Sequence, residues 1–254
     1  MTSKSEEMVT RDAFLGGRVM ALQPKNGFRS GVDAVLLASA VQAVPGQKVL
    51  ELGCGVGVAS LCLNARVSGL NLTGVELQQG YADLARQNAT AAGAAMRIFE
   101  ADLAKLPADL RQEQFDHVMA NPPYYSIGSR QPAKNVGRET ALGEATLMQT
   151  WIEVAAKRLA PKGYATFIQR ADRLADMLGP LSACLGSIEV QPLAPRDGKD
   201  SHLVILRARK DGRAPLILHA PLILHEGPVH LRDANDYQTW AVDVLMNGHP
   251  MPLR

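Results

Sequence analysis

Apolar residues along the chain fall into short runs and helical stripes that alternate, and this order predicts an α/β fold. Near the start, Leu15-Gly16-Gly17 and Lys25-Asn26-Gly27 flank short apolar pieces, which predicts a small hairpin. Asp33 then opens a helix over 34–41, rich in Ala and Leu. A short strand within 47–57 runs into a glycine loop, and a helix follows over 58–66. A second strand spans 70–76. The stripe Tyr81, Leu84, Ala85 and Asn88 marks a helix over 78–92, and a third strand spans 96–99. The run Val118-Met119-Ala120 then stops at Asn121-Pro122-Pro123-Tyr124. Neither proline can donate a ladder hydrogen bond, and Pro122 pushes Asn121 out of the helical region, so a strand ends there in a stiff turn.

The second half continues the alternation. A polar loop over 126–142 leads to a helix over 144–159, a turn at Pro161-Lys162-Gly163 and a strand over 165–169. A helix over 172–184 precedes strands over 188–193 and 203–208. No helical pattern lies between those two, so they pair antiparallel. The hexamer Ala-Pro-Leu-Ile-Leu-His occurs twice, at 214–219 and 220–225, and its even length lets the register slip by one copy. A last helix over 235–246 carries Tyr237, Trp240 and Val244 and docks on the sheet. The expected fold is a doubly wound, Rossmann-like sheet, mostly parallel, with an antiparallel C-terminal strand pair. It forms one domain over 1–254: a disordered tail (1–8), a hairpin and lid helix (9–45), a core (46–210) and a C-terminal extension (211–254).

Composition narrows the class. The chain has 254 residues, 46% of them hydrophobic and 20% charged, enough for one large domain with a full core. A net charge of +2 excludes a polycation, so nucleic-acid affinity must come from a local patch. Three cysteines, Cys54, Cys62 and Cys184, give neither a disulfide framework nor zinc spacing and fit a reducing cytosol. His219, His225 and His230 lack a carboxylate or thiol at ligand spacing, so no metal is expected. The first residues are polar and mixed in charge, without the apolar core of a signal peptide, and no stretch reaches the length of a membrane span. The expected location is cytoplasmic.

Candidate chemistry collects at strand ends. Glu51-Leu52-Gly53-Cys54-Gly55-Val56-Gly57 has neither the Gly-x-Gly-x-x-Gly of a dinucleotide site nor a phosphate loop's Gly-Lys-Ser/Thr. An acid ahead of the glycines repels a pyrophosphate and suits a cation. Glu76 lies 19 residues beyond Gly57. An acid about 20 residues past such a loop holds a ribose diol in these folds. Asp102 can accept from an exocyclic amino group or cap the next turn. The Asn121 amide oxygen and the Pro122 carbonyl can accept from one planar –NH2, against which the Tyr124 ring can stack. Arg29, Ser30 and Asp33 cluster ahead of a helix and suggest a lid.

These residues resemble a known family. Glu51 to Gly57 with Glu76, Asp102 and Asn121 to Tyr124 is similar to the class I S-adenosylmethionine-dependent methyltransferases that methylate amino groups. More narrowly, Phe14 to Arg18, Gln23-Pro24-Lys25, Asp33 to Leu37, Gly137-Arg138-Glu139, Arg170 to Leu174 and Pro195-Arg196 resemble the bacterial tRNA-Val (adenine-N6) methyltransferases. The resemblance implies S-adenosylmethionine as cofactor. Gly53 and Gly55 would approach its methionine part, with Glu51, Arg29 and Asp33 nearby. Glu76 would hold the ribose and Asp102 the adenine amino group, with Leu77 and Leu103 beside them. Asn121, Pro122, Pro123 and Tyr124 would hold the acceptor amine, with Asn121 also lining the cofactor. The implied acceptor is adenine N6 in RNA, specifically tRNA. Related enzymes that methylate a protein glutamine or a guanine amino group of ribosomal RNA share the tetrapeptide. A glutamine enzyme is expected to carry a substrate domain ahead of residue 14. The RNA contacts expected from basic residues are Arg130, Lys134 and Arg138, then Arg196 and Lys199, with Arg207, Arg209, Lys210 and Arg213 nearby in sequence.

Overall fold

The computed structural model describes residues 8–124, 147–229 and 236–253. Its strands β3 (Lys48–Leu52), β4 (Asn71–Glu76), β5 (Met96–Glu100), β6 (Phe115–Ala120) and β7 (Leu159–Arg170) are parallel. Their spatial order is β5-β4-β3-β6-β7. Beyond β7 come β9 (Leu203–Arg209) and then β8 (Gly186–Ala194), with β9 antiparallel to both neighbours. The antiparallel pair expected from the sequence is therefore present, and it closes onto the parallel sheet through β9.

Both faces of the sheet are covered, and side-chain alternation divides the core. Val49, Leu72, Met119 and Ile168 point into one apolar layer, and Leu50, Val75, Val118 and Phe167 into the other. Helices α1 (Val32–Ala40), α2 (Val58–Arg66) and α3 (Gln79–Ala91) cover the first face. The short α4 (Ala108–Gln112) and the helices α5 (Met148–Arg158) and α6 (Leu174–Cys184) cover the second. The hairpin forms from β1 (Val9–Phe14) and β2 (Val19–Pro24) around the first of the two glycine segments. Asn88 of α3 fastens it: the buried amide bonds the N–H and C=O of Leu22 and the carbonyl of Val56.

Four expectations change. The lid helix is a core helix: Ala34 to Ala40 are all buried, wedged against α2 and β7. A helix apolar on every side is a buried one, and Val-Asp-Ala-Val-Leu-Leu-Ala-Ser-Ala is nearly that. Pro161-Lys162-Gly163 does not separate helix from strand but lies inside the long β7, where Lys162 takes φ +67° and the register against β6 shifts. The last helix, α7 (Thr239–Leu245), packs mainly on α1 and the turn at 15–17, and meets the sheet only at its edge, where Trp240 Nε1 donates to the Ile223 carbonyl at 2.7 Å. The two hexamer copies, finally, are not interchangeable. They form β10 (Ile217–Leu218) and β11 (Leu222–Ile223), both parallel to β8, with Ile217 opposite Glu189 and Ile223 opposite Ala194. Six residues of the repeat thus span five of β8, and the environments differ. Leu218 is 66% exposed, whereas Leu222 and Leu224 pack on the first apolar layer. Among the described residues no helix is long and apolar enough to cross a membrane.

Candidate cofactor and acceptor site

The chain leaves β3 through α2 toward β4 on one side, whereas β6 pairs with β3 on the other. The carboxyl ends of β3 and β6 therefore flank the topological switch point, where open α/β sheets bind ligands. The glycine loop forms one wall. Gly53 takes φ +63°, and a Cβ there would overlap the ring of Trp151 from α5. Gly55 takes φ +54°, and a Cβ there would meet nothing within 4 Å, so the space beside this backbone is open.

Two acids hold the loop, in different ways. Glu76 at the end of β4 is 8% exposed. Its Oε2 accepts from Gly55 N–H at 2.9 Å and its Oε1 from Gln78 N–H at 2.9 Å. Burial raises its pKa, opposed by these backbone donors. The Leu77 N–H also bonds this carboxylate, and the acceptor capacity that remains is available to a diol. Glu51 is buried beneath the loop, and its Oε2 accepts from Ser60 N–H at 3.1 Å and from the Ser60 hydroxyl at 2.5 Å. Burial pushes its pKa up to about 8. At neutral pH it is mostly a neutral acid tying the loop to α2, not the free carboxylate expected beside a cation. Asp102 accepts from Ala104 N–H at 2.8 Å and so caps the turn at 103–105, with Leu103 buried and Leu77 exposed near the crevice.

The other wall is the Asn-Pro-Pro-Tyr turn. The Asn121 Oδ1 is buried without a hydrogen-bond partner. The Pro122 carbonyl accepts from Gln169 Nε2 at 3.2 Å. Pro123 faces solvent. The Tyr124 hydroxyl donates to Asp33 Oδ2, and the Tyr124 carbonyl accepts from Arg173 Nη1 at 3.4 Å. Burial, followed by the Asp33 contact, pushes the Tyr124 pKa well up, so its ring is neutral.

The structure brings together Gly53, Gly55, Glu76, Asp102 and Asn121 to Tyr124, with Asp33 joined to Tyr124 instead of to the glycine loop. Arg29 is spent elsewhere: its guanidinium bonds Asp12 at 2.5 Å and Thr10 Oγ1 at 2.8 Å and locks the hairpin. Arg196 pairs with Asp236 and the Glu226 carbonyl, holding the C-terminal extension to the turn after β8. Lys199 is exposed between β8 and β9, on the same sheet edge as Arg170. Arg130, Lys134 and Arg138 lie outside the described residues. Arg207 and Arg209 are corrected by topology. Because β9 runs antiparallel, Arg209 sits opposite Tyr164, near the start of β6 and away from Asn121. Arg207 is buried there, paired with Glu189 at 3.0 Å. Gln169, Ser60 and Trp151 were not expected. The available signal was a polar residue, Gln169, ending the apolar run Phe167-Ile168 at a strand's carboxyl end.

The residues present fit an S-adenosyl nucleoside. They offer open space beside Gly55, a carboxylate with remaining acceptor capacity at Glu76 and an unpartnered buried acceptor at Asn121.

Comparison with known proteins places this geometry. Residues 29–191 match the model of the methyltransferase small domain. A tRNA1(Val) (adenine(37)-N6)-methyltransferase of Shewanella baltica is 30% identical over 189 residues, covering 70% of this chain and 76% of that protein. A protein of the same name from Yersinia pseudotuberculosis is 26% identical over 243 residues, covering 89% and 93%. Among solved structures, one described as a predicted O-methyltransferase from Agrobacterium tumefaciens superposes with a TM-score of 0.71 at 28% identity, covering 87% of this chain and 99% of that one. A T. thermophilus 16S rRNA N2 methyltransferase in complex with AdoMet and guanosine shares the fold at TM-score 0.55 and 20% identity, covering 80% and 50%. The family match runs from the segment ahead of α1 into β8 and so spans both walls of the crevice. The chain belongs to the methyltransferase small-domain family and is an S-adenosylmethionine-dependent N-methyltransferase.

Proposed function

We propose that the protein methylates the N6 amino group of an adenine in tRNA. The observation that carries this reading is the pair of acceptors at the end of β6, the partnerless Asn121 Oδ1 and the Pro122 carbonyl. An amino group has two N–H bonds and satisfies both acceptors. A hydroxyl has one hydrogen and leaves a buried acceptor unpaired, at a cost of about 1–3 kcal/mol. That argues against an oxygen acceptor, which the name of the Agrobacterium structure would suggest. The names of the relatives from Shewanella and Yersinia favour adenine in tRNA among amine acceptors.

In this reading Glu76 receives the ribose hydroxyls on its remaining acceptor capacity, and Asp102 receives the adenine amino group of the cofactor. Leu77 and Leu103 flank that base. The bound cofactor supplies an electrophilic sulfonium methyl. An aromatic amine is a weak nucleophile because its lone pair is delocalised into the ring. Asn121 and Pro122 draw its two N–H bonds, localise the lone pair and stabilise the positive charge that grows on nitrogen during transfer. The nitrogen sheds its extra proton to solvent afterwards, so no general base acts first. Tyr124, neutral and held by Asp33, stacks on a base taken out of its stack. Lys199 and the basic residues of 130–138 are proposed to hold RNA phosphates.

The test is incubation with methyl-labelled cofactor and separate tRNA, ribosomal RNA and protein fractions, followed by digestion. Label in N6-methyladenosine from tRNA is the expected outcome. Label in methylglutamine or in N2-methylguanosine would replace the acceptor, and label on oxygen would overturn the reading.

A further inference from the structure

The Asn-Pro-Pro-Tyr turn has an unusual weakness: its key carbonyl has no backbone support. A peptide plane is normally fixed by its N–H as well as its C=O, but the Pro122–Pro123 peptide has no N–H, and neither does Asn121–Pro122. The β6–β7 ladder is broken here as well. Its last pair is Ala120 with Phe167. Two residues further along each strand, Pro122 stands across from Gln169. There the Gln169 side chain takes over the bonding. Its Nε2 donates to the Pro122 carbonyl at 3.2 Å, and its Oε1 accepts from Arg170 N–H at 2.9 Å. Gln169 is 0% exposed. Both ends of its amide are engaged, so it cannot turn away without leaving a buried polar group unpaired.

We infer that Gln169 is a positioning residue for methyl transfer, fixing the direction of the Pro122 carbonyl so that its second lone pair meets the acceptor amine. This deepens the proposed function and rests on its assignment of Pro122 as an acceptor of the amine N–H. The carbonyl has two lone pairs, and Gln169 occupies one. The Pro122 plane is limited by the following proline to the extended region, but that region is tens of degrees wide. A donor from β7 narrows it to one direction. Orientation of this kind acts on the rate of transfer and leaves cofactor binding alone.

The test uses two variants of the full chain. Gln169→Met fills the space without a donor. Gln169→Glu supplies a carboxylic acid that mimics the amide while protonated, with its O–H donating and its C=O accepting, and loses the donor on ionisation. With tRNA and saturating cofactor, Gln169→Met is expected to lower kcat about tenfold or more at every pH, with cofactor affinity and tRNA KM near the parent's. Gln169→Glu is expected to approach the parent at low pH and to fall below it as pH rises, a profile the parent does not share. The inference is overturned if Gln169→Met keeps the parent kcat, or if Gln169→Glu follows the parent's pH profile. Should Gln169→Met fail to fold, the pH profile of Gln169→Glu decides alone. A parent that methylates adenine while these variants behave normally defeats only the inference. A parent that methylates oxygen defeats it together with the reading on which it rests.

Discussion

The two walls of the crevice are built by different means. The glycine-loop wall is held by close partners: Ser60 binds Glu51 across 9 residues of sequence, and Gly55 binds Glu76 across 21. The Asn-Pro-Pro-Tyr wall is held by side chains from far away, with Gln169 reaching Pro122 across 47 residues and Tyr124 reaching Asp33 across 91. The difference follows from the backbone. Glycines and a β–α turn supply many N–H groups, so acids can fasten the first wall. Two successive prolines remove those donors from the second, and remote side chains take their place. The first wall is thereby suited to a cofactor common to many enzymes. The second depends on how β7 and α1 happen to be placed.

Substitutions can break this contrast, and the largest effect is expected in stability against pH. Glu51 has a pKa raised from 4.5 to about 8 by burial. The stability it contributes is fully present below pH 4.5 and is lost as pH rises through 8, on the order of 5 kcal/mol across that window. Glu51→Gln keeps an acceptor for Ser60 and cannot ionise. Denaturant melts from pH 5 to 9 should show the parent losing ground to the variant, and parallel curves would mean that the loop is not held by a neutral acid. Next comes Asn121→Ala, expected to cut turnover about 100-fold or more, as for a lost transition-state hydrogen bond, with cofactor affinity preserved. Glu76→Ala should weaken cofactor binding by about 1–3 kcal/mol in calorimetry, and an unchanged affinity in the folded variant would remove Glu76 from the site. The smallest effect is expected from Asp33→Ala, which removes one of the two side-chain partners of the Tyr124 hydroxyl. Its tRNA KM should rise about three- to tenfold with cofactor affinity intact, the loss of one hydrogen bond. An unchanged KM would show that Tyr124 does not need α1 to hold it.

The same contrast explains what the sequence disclosed. The glycine loop, Glu76 and the end of β6 were legible because local chemistry defines them: positive φ at glycine, an acid after a β-strand, prolines that stop a ladder. The parallel pairing of the core strands and the antiparallel β8–β9 pair followed from which runs had helical stripes between them, whereas the spatial order of the strands did not. The second wall was legible as a motif but not as a structure. Asp33 reads as a helix-starting acid and Gln169 as an ordinary polar strand residue, and only the register of β6 on β7 brings Gln169 to Pro122. The partners of Arg29 were illegible for a related reason. The hairpin supplies Asp12 and Thr10 as nearer partners, and nothing in the order of residues 24–33 announces them. The duplicated hexamer misled because identical sequence suggests identical pairing, whereas β8 offers its two copies different neighbours.

The central claim is that one wall holds the cofactor and the other governs transfer to an amine. Single-turnover methyl transfer to tRNA, run with Asn121→Ala and Glu76→Ala as cofactor concentration is raised, tests it most directly. The account predicts that saturating cofactor restores most of the parent rate to Glu76→Ala, while Asn121→Ala stays slow at every concentration with an unchanged half-saturation point. A rate for Asn121→Ala that climbs to the parent's as cofactor is added would contradict it, because Asn121 would then belong to the cofactor wall.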